Sequence, residues 1–166
     1  MTNEEYAVRI TEIKHRLYKT ALLYLGNESA AVDVLDEAVY KGLRSIKKLK
    51  NDEFFKTWIT RILINECHNI YKHNKRFVLA EELPETAAEE FDNLPLKEAI
   101  SKLPKDLKEV IILRFFWGCT LDETSNILQM PVGTVSTKQR KALDLLRLDL
   151  GKEEEVWTEN MSLMSY

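Results

Sequence analysis

In the first half of the chain apolar residues recur at spacings of three and four, the period of one helix face. Ile10, Ile13, Leu17, Ala21 and Leu25 form the first stripe. Gly26 stops it, and Asn27 is placed to cap a second helix. Ala31, Val34, Leu35, Ala38, Val39, Leu43 and Ile46 carry that helix to about residue 47. A polar connection follows from Lys47 to Asn51. Asp52 is placed to cap a third helix with Phe55, Trp58, Ile59, Ile62 and Leu63, extending to Tyr71, and Lys72, Lys75 and Arg76 close the block.

Residues 77–95 lose this periodicity, carry two prolines and read as a linker. Leu96, Ile100 and Leu103 then predict a short helix ended by Pro104. Leu107, Val110, Ile111, Leu113 and Phe115 predict a mostly apolar helix, buried on nearly all sides and ended by Gly118. A helix of about two turns over Leu121–Leu128, a turn from Gln129 to Gly133 and a last helix over Thr134–Asp149 complete the pattern.

Only five glycines and four prolines occur in 166 residues, which suits long helices rather than a turn-rich sandwich or barrel. The expected fold is all-α, two small helical domains joined by a linker. No apolar run approaches the roughly 18 residues of a membrane span. The opening MTNEEYAVRI lacks the apolar core of a secretory signal. Cys67 and Cys119 are the only two cysteines and lie far apart, so a soluble chain in a reducing compartment, the cytoplasm, is expected.

The net charge of −3 conceals a segregation. Residues 1–77 hold 14 basic and 10 acidic side chains, and residues 78–95 hold six acidic and no basic ones. Residues 96–150 hold nine basic and seven acidic, and residues 151–166 one basic and four acidic. Two mildly basic blocks flanking an acidic linker are compatible with binding a polyanion.

Enzyme chemistry finds little support. The chain contains no GxxxxGK[ST], GxGxxG, HExxH or CxxC, so no cofactor or metal is expected. His68 and His73 are five apart and do not share a helix face, and the neighbours Cys67 and His68 point in different directions.

The second block is more specific. In TLDETSNILQMPVGTVSTKQRKALDLLR, Leu121, Ile127, Leu128, Val132, Val135, Ala142, Leu145 and Leu146 are placed to pack two helices together. Thr134, Ser136, Thr137, Lys138, Arg140 and Lys141 then fall at or near the exposed face. Arg and Lys donate to guanine O6 and N7, while Ser and Thr adapt to several base edges, so this is a helix suited to a major groove. A solvated helix face carries similar charges.

The phrase MPVGTVSTKQRKALDLLR resembles region 4.2 of bacterial extracytoplasmic-function (ECF) sigma factors, and LPKDLKEVIILRFFWGCTLDE resembles the segment before it. LYKTALLYLGNESAAVDVLDEAVYKGLRSI resembles the family's region 2.1–2.2, and FFKTWITRILINECHNIYKHNKR its region 2.3–2.4. The resemblance covers roughly residues 15–150, in the family's order. The phrases ILRFF and KTW look like Firmicute envelope-stress members of the SigV-like kind.

The resemblance implies region 2 over 1–77, an acidic linker over 78–95, region 4 over 96–150 and an acidic tail over 151–166. It implies docking on the β′ clamp helices and β flap of core RNA polymerase, with Asp33, Leu35, Asp36 and Glu37 at the clamp contact. It implies promoter DNA as a partner: Lys41, Ser45, Leu49, Lys50, Trp58, Arg61 and Asn65 at the −10 element, and Thr134, Ser136, Thr137, Lys138, Arg140 and Lys141 at the −35 element, Lys138 toward phosphate. It also implies an anti-sigma factor, commonly membrane-anchored, that would hold the chain at the inner face of the membrane.

Local chemistry qualifies several of these positions. Trp58 shares helical spacing with Phe55 and Ile62, as a core residue does. Asp36 stands where the family usually has Gln, and Leu49 where it usually has an aromatic ring. Gln129 stands at a turn position usually held by Gly, where positive φ is expected and strains a side chain. Gln139 replaces an aliphatic residue, and Thr124-Ser125 an Ile-Ala pair. Either the helix-turn-helix packs less tightly than usual, or its −35 preference differs. Two other functions compete. A helix-turn-helix repressor or activator leaves the first block unexplained, and a helical protein–protein adaptor leaves the face of residues 134–141 unexplained.

Overall fold

A computed structural model describes residues 1–73 and 94–151, in which every regular element is helical. The chain divides into two compact units, Met1–Ala87 and Ala88–Tyr166. Most of the acidic linker, Lys75, Arg76 and the tail beyond Gly151 lie outside the described residues. Among the described residues no helix is long and apolar enough to cross a membrane.

In the first unit, helix α1 (Asn3–Leu25) begins with a capping box. Thr2 Oγ1 accepts from the Glu5 N–H at 3.1 Å and the Glu5 carboxylate accepts from the Thr2 N–H at 2.7 Å. Gly26 ends α1 at φ 65°, its N–H donating to the Leu22 carbonyl at 2.8 Å. Asn27 caps α2 (Glu28–Ser45), its side chain accepting from the Ala30 N–H at 2.9 Å. Two 3₁₀ turns, Ile46–Lys48 and Asp52–Phe54, lead into α3 (Phe55–His73). Asn51, not Asp52, is the capping residue: its side chain accepts from the Glu53 N–H at 2.9 Å, and Asp52 already lies inside the turn.

The three helices pack on one another around Leu17, Ala21, Val34, Ala38, Ile59, Leu63 and Cys67. The closest approach is at Gly42, where a Cβ would collide with Tyr6 Oη and lie 2.7 Å from Ile59 Cδ1. Glycine is therefore demanded by contact. Tyr6 donates its hydroxyl to the Val39 carbonyl at 2.7 Å, and burial pushes its phenol up to about 12.

In the second unit, α4 (Leu94–Lys102) starts two residues before the expected Leu96. Helix α5 (Lys105–Ile111) runs into a π-helical turn over Ile112–Phe116, marked by Trp117 N–H donating to the Ile112 carbonyl at 3.0 Å. Gly118, at φ 66°, redirects the chain. The apolar helix is buried as its sequence predicts, and it also buries Lys108 and Glu109; burial lowers the Lys108 pKa. Helices α6 (Leu121–Leu128) and α7 (Val132–Leu150) follow, and α7 packs against α4, α5 and α6. α7 begins at Val132 rather than Thr134, because Pro131 supplies the extended residue ahead of the first turn.

Candidate nucleic-acid interface

In the second unit the turn between α6 and α7 is built from hydrogen bonds. Thr120 and Glu123 form a capping box at the start of α6. Thr124, fully buried, donates its hydroxyl to the Thr120 carbonyl at 2.8 Å, and Ser125 donates to the Met130 carbonyl at 2.6 Å. The Ser125 carbonyl accepts from both the Gln129 and Met130 N–H groups. Gln129 adopts φ 53°, as expected for that position. Arg114 Nε donates to Gln139 Oε1 at 2.7 Å, and Arg114 Nη1 donates to the Cys119 carbonyl. The polar replacements at 124, 125 and 139 are therefore each bonded: Thr124 within α6, Ser125 across the turn, and Gln139 to Arg114 of the π-helical turn.

This frame presents one face of α7. Thr134, Thr137, Arg140 and Lys141 are exposed and Ser136 is half-buried. Thr137 donates its hydroxyl to the Gly133 carbonyl at 2.9 Å, leaving the oxygen available as an acceptor. Lys138 is half-buried and ion-paired with Asp106 of α5, a bond that lowers the Asp106 pKa. Ile127, Val135, Ala142 and Leu146 are buried as expected. Val132 and Leu145 are not: they are 37% and 36% exposed.

In the first unit, Trp58, Arg61 and Asn65 fall three or four residues apart on the outer side of α3. Asn65 is exposed and Arg61 half-buried. Trp58 is half-buried with its ring 6.2 Å from that of Phe55, so it belongs partly to the packing and partly to the surface. Phe54, 59% exposed, and exposed Asn69 and Lys72 continue the same stripe. Lys50 is exposed and Leu49 half-buried on the connection between α2 and α3.

Sigma-70 region 2 matches residues 10–77 and sigma-70 region 4 matches residues 99–148. The RNA polymerase sigma factor SigV of Bacillus subtilis is 31% identical over 150 residues, covering 87% of this chain and 90% of that protein. The ECF RNA polymerase sigma-E factor of Escherichia coli K12 is 30% identical over 135 residues, covering 68% of this chain and 71% of that protein. The chain belongs to the extracytoplasmic-function sigma factors. The fold agrees with the sigma factor RpoE of Bartonella quintana, solved in complex with the anti-sigma factor NepR: TM-score 0.75, 18% identity, covering 90% of this chain and 99% of that one.

Two region 2 expectations for this sigma factor need correction. Leu35 is 4% exposed: it lies on the buried side of α2, as its place in the apolar stripe predicts, and not on the outer side with Asp33, Asp36 and Glu37. Leu43, assigned to the core stripe, is 39% exposed. The outer side of α2 presents Asp33, Asp36 and Glu37 beside three apolar residues, Val32, Tyr40 and Leu43. Val32 and Tyr40 escaped the sequence reading, although each falls outside the apolar stripe of its helix and was therefore visible as an unexplained hydrophobe.

Lys41 was assigned to DNA and Glu37 to polymerase, yet the structure joins them. The Lys41 ammonium lies 3.2 Å from Glu37 and 2.8 Å from Glu66 of α3. Its pKa is raised, chiefly by the Glu66 hydrogen bond. A phosphate would have to compete with two carboxylates for this cation, so Lys41 first serves to join α2 to α3. Ser45 donates its hydroxyl inward to the Lys41 carbonyl at 2.6 Å. Lys50, Trp58, Arg61 and Asn65 remain as the accessible set in this region.

Proposed function

We propose that this sigma factor binds core RNA polymerase, directs it to promoters and divides promoter recognition between its two units. Region 2, over 1–77, takes the unpaired −10 strand and region 4, over 96–150, takes the duplex −35 element, with 78–95 as the linker between them. The observation that carries the reading is the contrast between the two exposed faces. One offers Trp58, Phe54 and Asn65, which suit stacking and edge contacts to a base out of its stack. The other offers Thr137, Arg140 and Lys141 on a bonded helix-turn-helix, which suit a major groove.

Polymerase docks through the outer side of α2, where Val32, Tyr40 and Leu43 lie beside Asp33, Asp36 and Glu37 and Arg44 stands over the Tyr40 ring: apolar anchors among carboxylates that suit a basic surface on the β′ clamp helices. The β flap contacts region 4. The chain catalyses nothing itself; RNA synthesis belongs to the polymerase. It acts in the cytoplasm, in an envelope-stress response, under an anti-sigma factor that holds it at the membrane until a signal arrives. In reconstituted transcription, core polymerase with a cognate promoter initiates only when the chain is added. Promoter binding without initiation would instead mark a repressor or activator, and no crosslinking to DNA would mark an adaptor.

A further inference from the structure

Lys138, Arg140 and Lys141 stand on or beside the DNA-facing side of α7, and the first of them is already neutralised. Its ammonium is paired with the carboxylate of Asp106, the second residue of α5. Among the described residues Arg140 and Lys141 have no such partner. The bridge is open to solvent: the Asp106 side chain is 53% exposed and that of Lys138 25%. Asp106 and Lys138 border one depression together with Leu107, Thr134, Thr137 and Lys141. A duplex seated on Thr137 and Lys141 therefore lies over the bridge and brings its phosphates close to both charges.

A phosphate arriving there meets a pair with no net charge. To gain Lys138 it must take the cation from Asp106, and the carboxylate left behind then repels that same phosphate. The exchange gains little. A free Lys138 would behave differently, because a cation on the backbone strengthens binding to every duplex alike and carries no sequence information. Holding it back leaves a larger share of the binding to the base-facing Arg140 and Lys141, an unfavourable term set against wrong sites rather than a contact to the right one.

We propose that Asp106 is a built-in competitor of DNA phosphate, which keeps Lys138 off the backbone and lowers the sequence-independent part of binding. This rests on the reading of α7 as the DNA-facing helix.

The test measures binding of the whole chain to a −35 duplex and to a scrambled one, from about 50 to about 200 mM salt. Three chains are compared: the parent, Asp106→Asn, and Asp106→Asn with Lys138→Gln. Asp106→Asn should tighten binding to both duplexes by about fivefold at the low-salt end. One further phosphate contact steepens the slope of log K against log salt by about 0.9, so that gain should shrink about three- to fourfold by the high-salt end. The double variant should return to the parent's affinity and slope, since the freed cation is gone. Unfolding of the second unit should hold in Asp106→Asn, because an exposed bridge stabilises little. Weaker binding by Asp106→Asn overturns the inference and makes Asp106 a residue that aims Lys138 at phosphate. Unchanged binding overturns it too and leaves the bridge as a tie between α5 and α7. A gain that survives in the double variant overturns it as well, and assigns the effect to repulsion by the carboxylate alone. The −35 assignment is judged separately: a parent without preference for the −35 duplex sinks that assignment, while a gain on both duplexes keeps the inference. Binding of neither duplex by any of the three chains overturns both.

Discussion

At its tightest point the first unit presses the Gly42 backbone against Tyr6 and Ile59, whereas the second unit ties its turn through Ser125 and holds α7 to the π-helical turn through Arg114 and Gln139. Close packing against a glycine sets how nearly helices approach. Hydrogen bonds fix direction, which matters where a helix must enter a groove at a set angle. The difference follows what each unit presents: a half-buried aromatic stripe in region 2, an aligned row of hydroxyls and cations in region 4.

The sharpest way to break the first half of that comparison is Gly42→Ala. The added methyl must displace Tyr6 Oη, itself bonded to Val39, or Ile59 Cδ1. Overpacking of this kind is worth about 2–3 kcal/mol. Denaturant unfolding followed through amides of the first unit should show the loss, with the second unit unchanged. A neutral substitution would mean that α2 can slide outward freely and that contact is not what positions it.

Arg114→Ala tests the second half. It removes the donors to Gln139 and to the Cys119 carbonyl, and charge-assisted bonds place the expected cost at about 2 kcal/mol. The loss should appear in the second unit alone. Arg114→Ala with Gln139→Leu should recover part of it, because the orphaned amide is replaced by an apolar group. If the double variant is no better than the single one, the Gln139 bond contributes nothing.

These two sites also show what the sequence could and could not disclose. Helical period and the stops at Gly26 and Gly118 follow from local residue chemistry, and the positive φ at Gln129 from the resemblance, which puts a glycine there; the structure has all of them. Leu43, Val132 and Leu145 are exposed against expectation because an apolar side chain looks alike whether it faces inward or a partner. Which side of a helix is covered depends on neighbours distant in sequence. The Lys41–Glu66 link escapes a sequence for the same reason, since Glu66 lies on another helix, whereas Glu37–Lys41 is a pair four apart on one helix. The bonds to Gln139 and Ser125 were signalled only as departures from the family pattern, and their partners could not be named without coordinates.

The functional contrast predicts crossed losses of about tenfold. Arg140→Ala should weaken binding to a −35 duplex over a scrambled one by about tenfold, the lower range for a good base contact. It should leave binding of an unpaired −10 strand unchanged. Asn65→Ala should do the reverse. Equal losses of Arg140→Ala on specific and scrambled duplexes would make Arg140 a phosphate contact.

The smallest effect lies in two helix ends of the same shape. α1 ends on Gly26 at φ 65°, and α6 ends on Gln129 at φ 53°. Each N–H donates to the carbonyl four residues back, Leu22 in one case and Ser125 in the other. The backbone does the same work in both, so the side chain should matter only through strain and unfolded-state freedom. Left-handed backbone costs a residue with a Cβ about 1 kcal/mol. Gly26→Gln should therefore destabilise the first unit by about that amount. Gln129→Gly relieves the strain but gives the unfolded chain more freedom, so its gain should be smaller, about 0.5 kcal/mol. Gln129 is exposed, and its removal should leave −35 binding intact. Unfolding of both variants, read separately in each unit, gives the two numbers. If Gln129→Gly destabilises the second unit, its side chain stabilises the turn beyond the bonds already described, and the helix-turn-helix depends on side-chain bonding even more than its other contacts indicate.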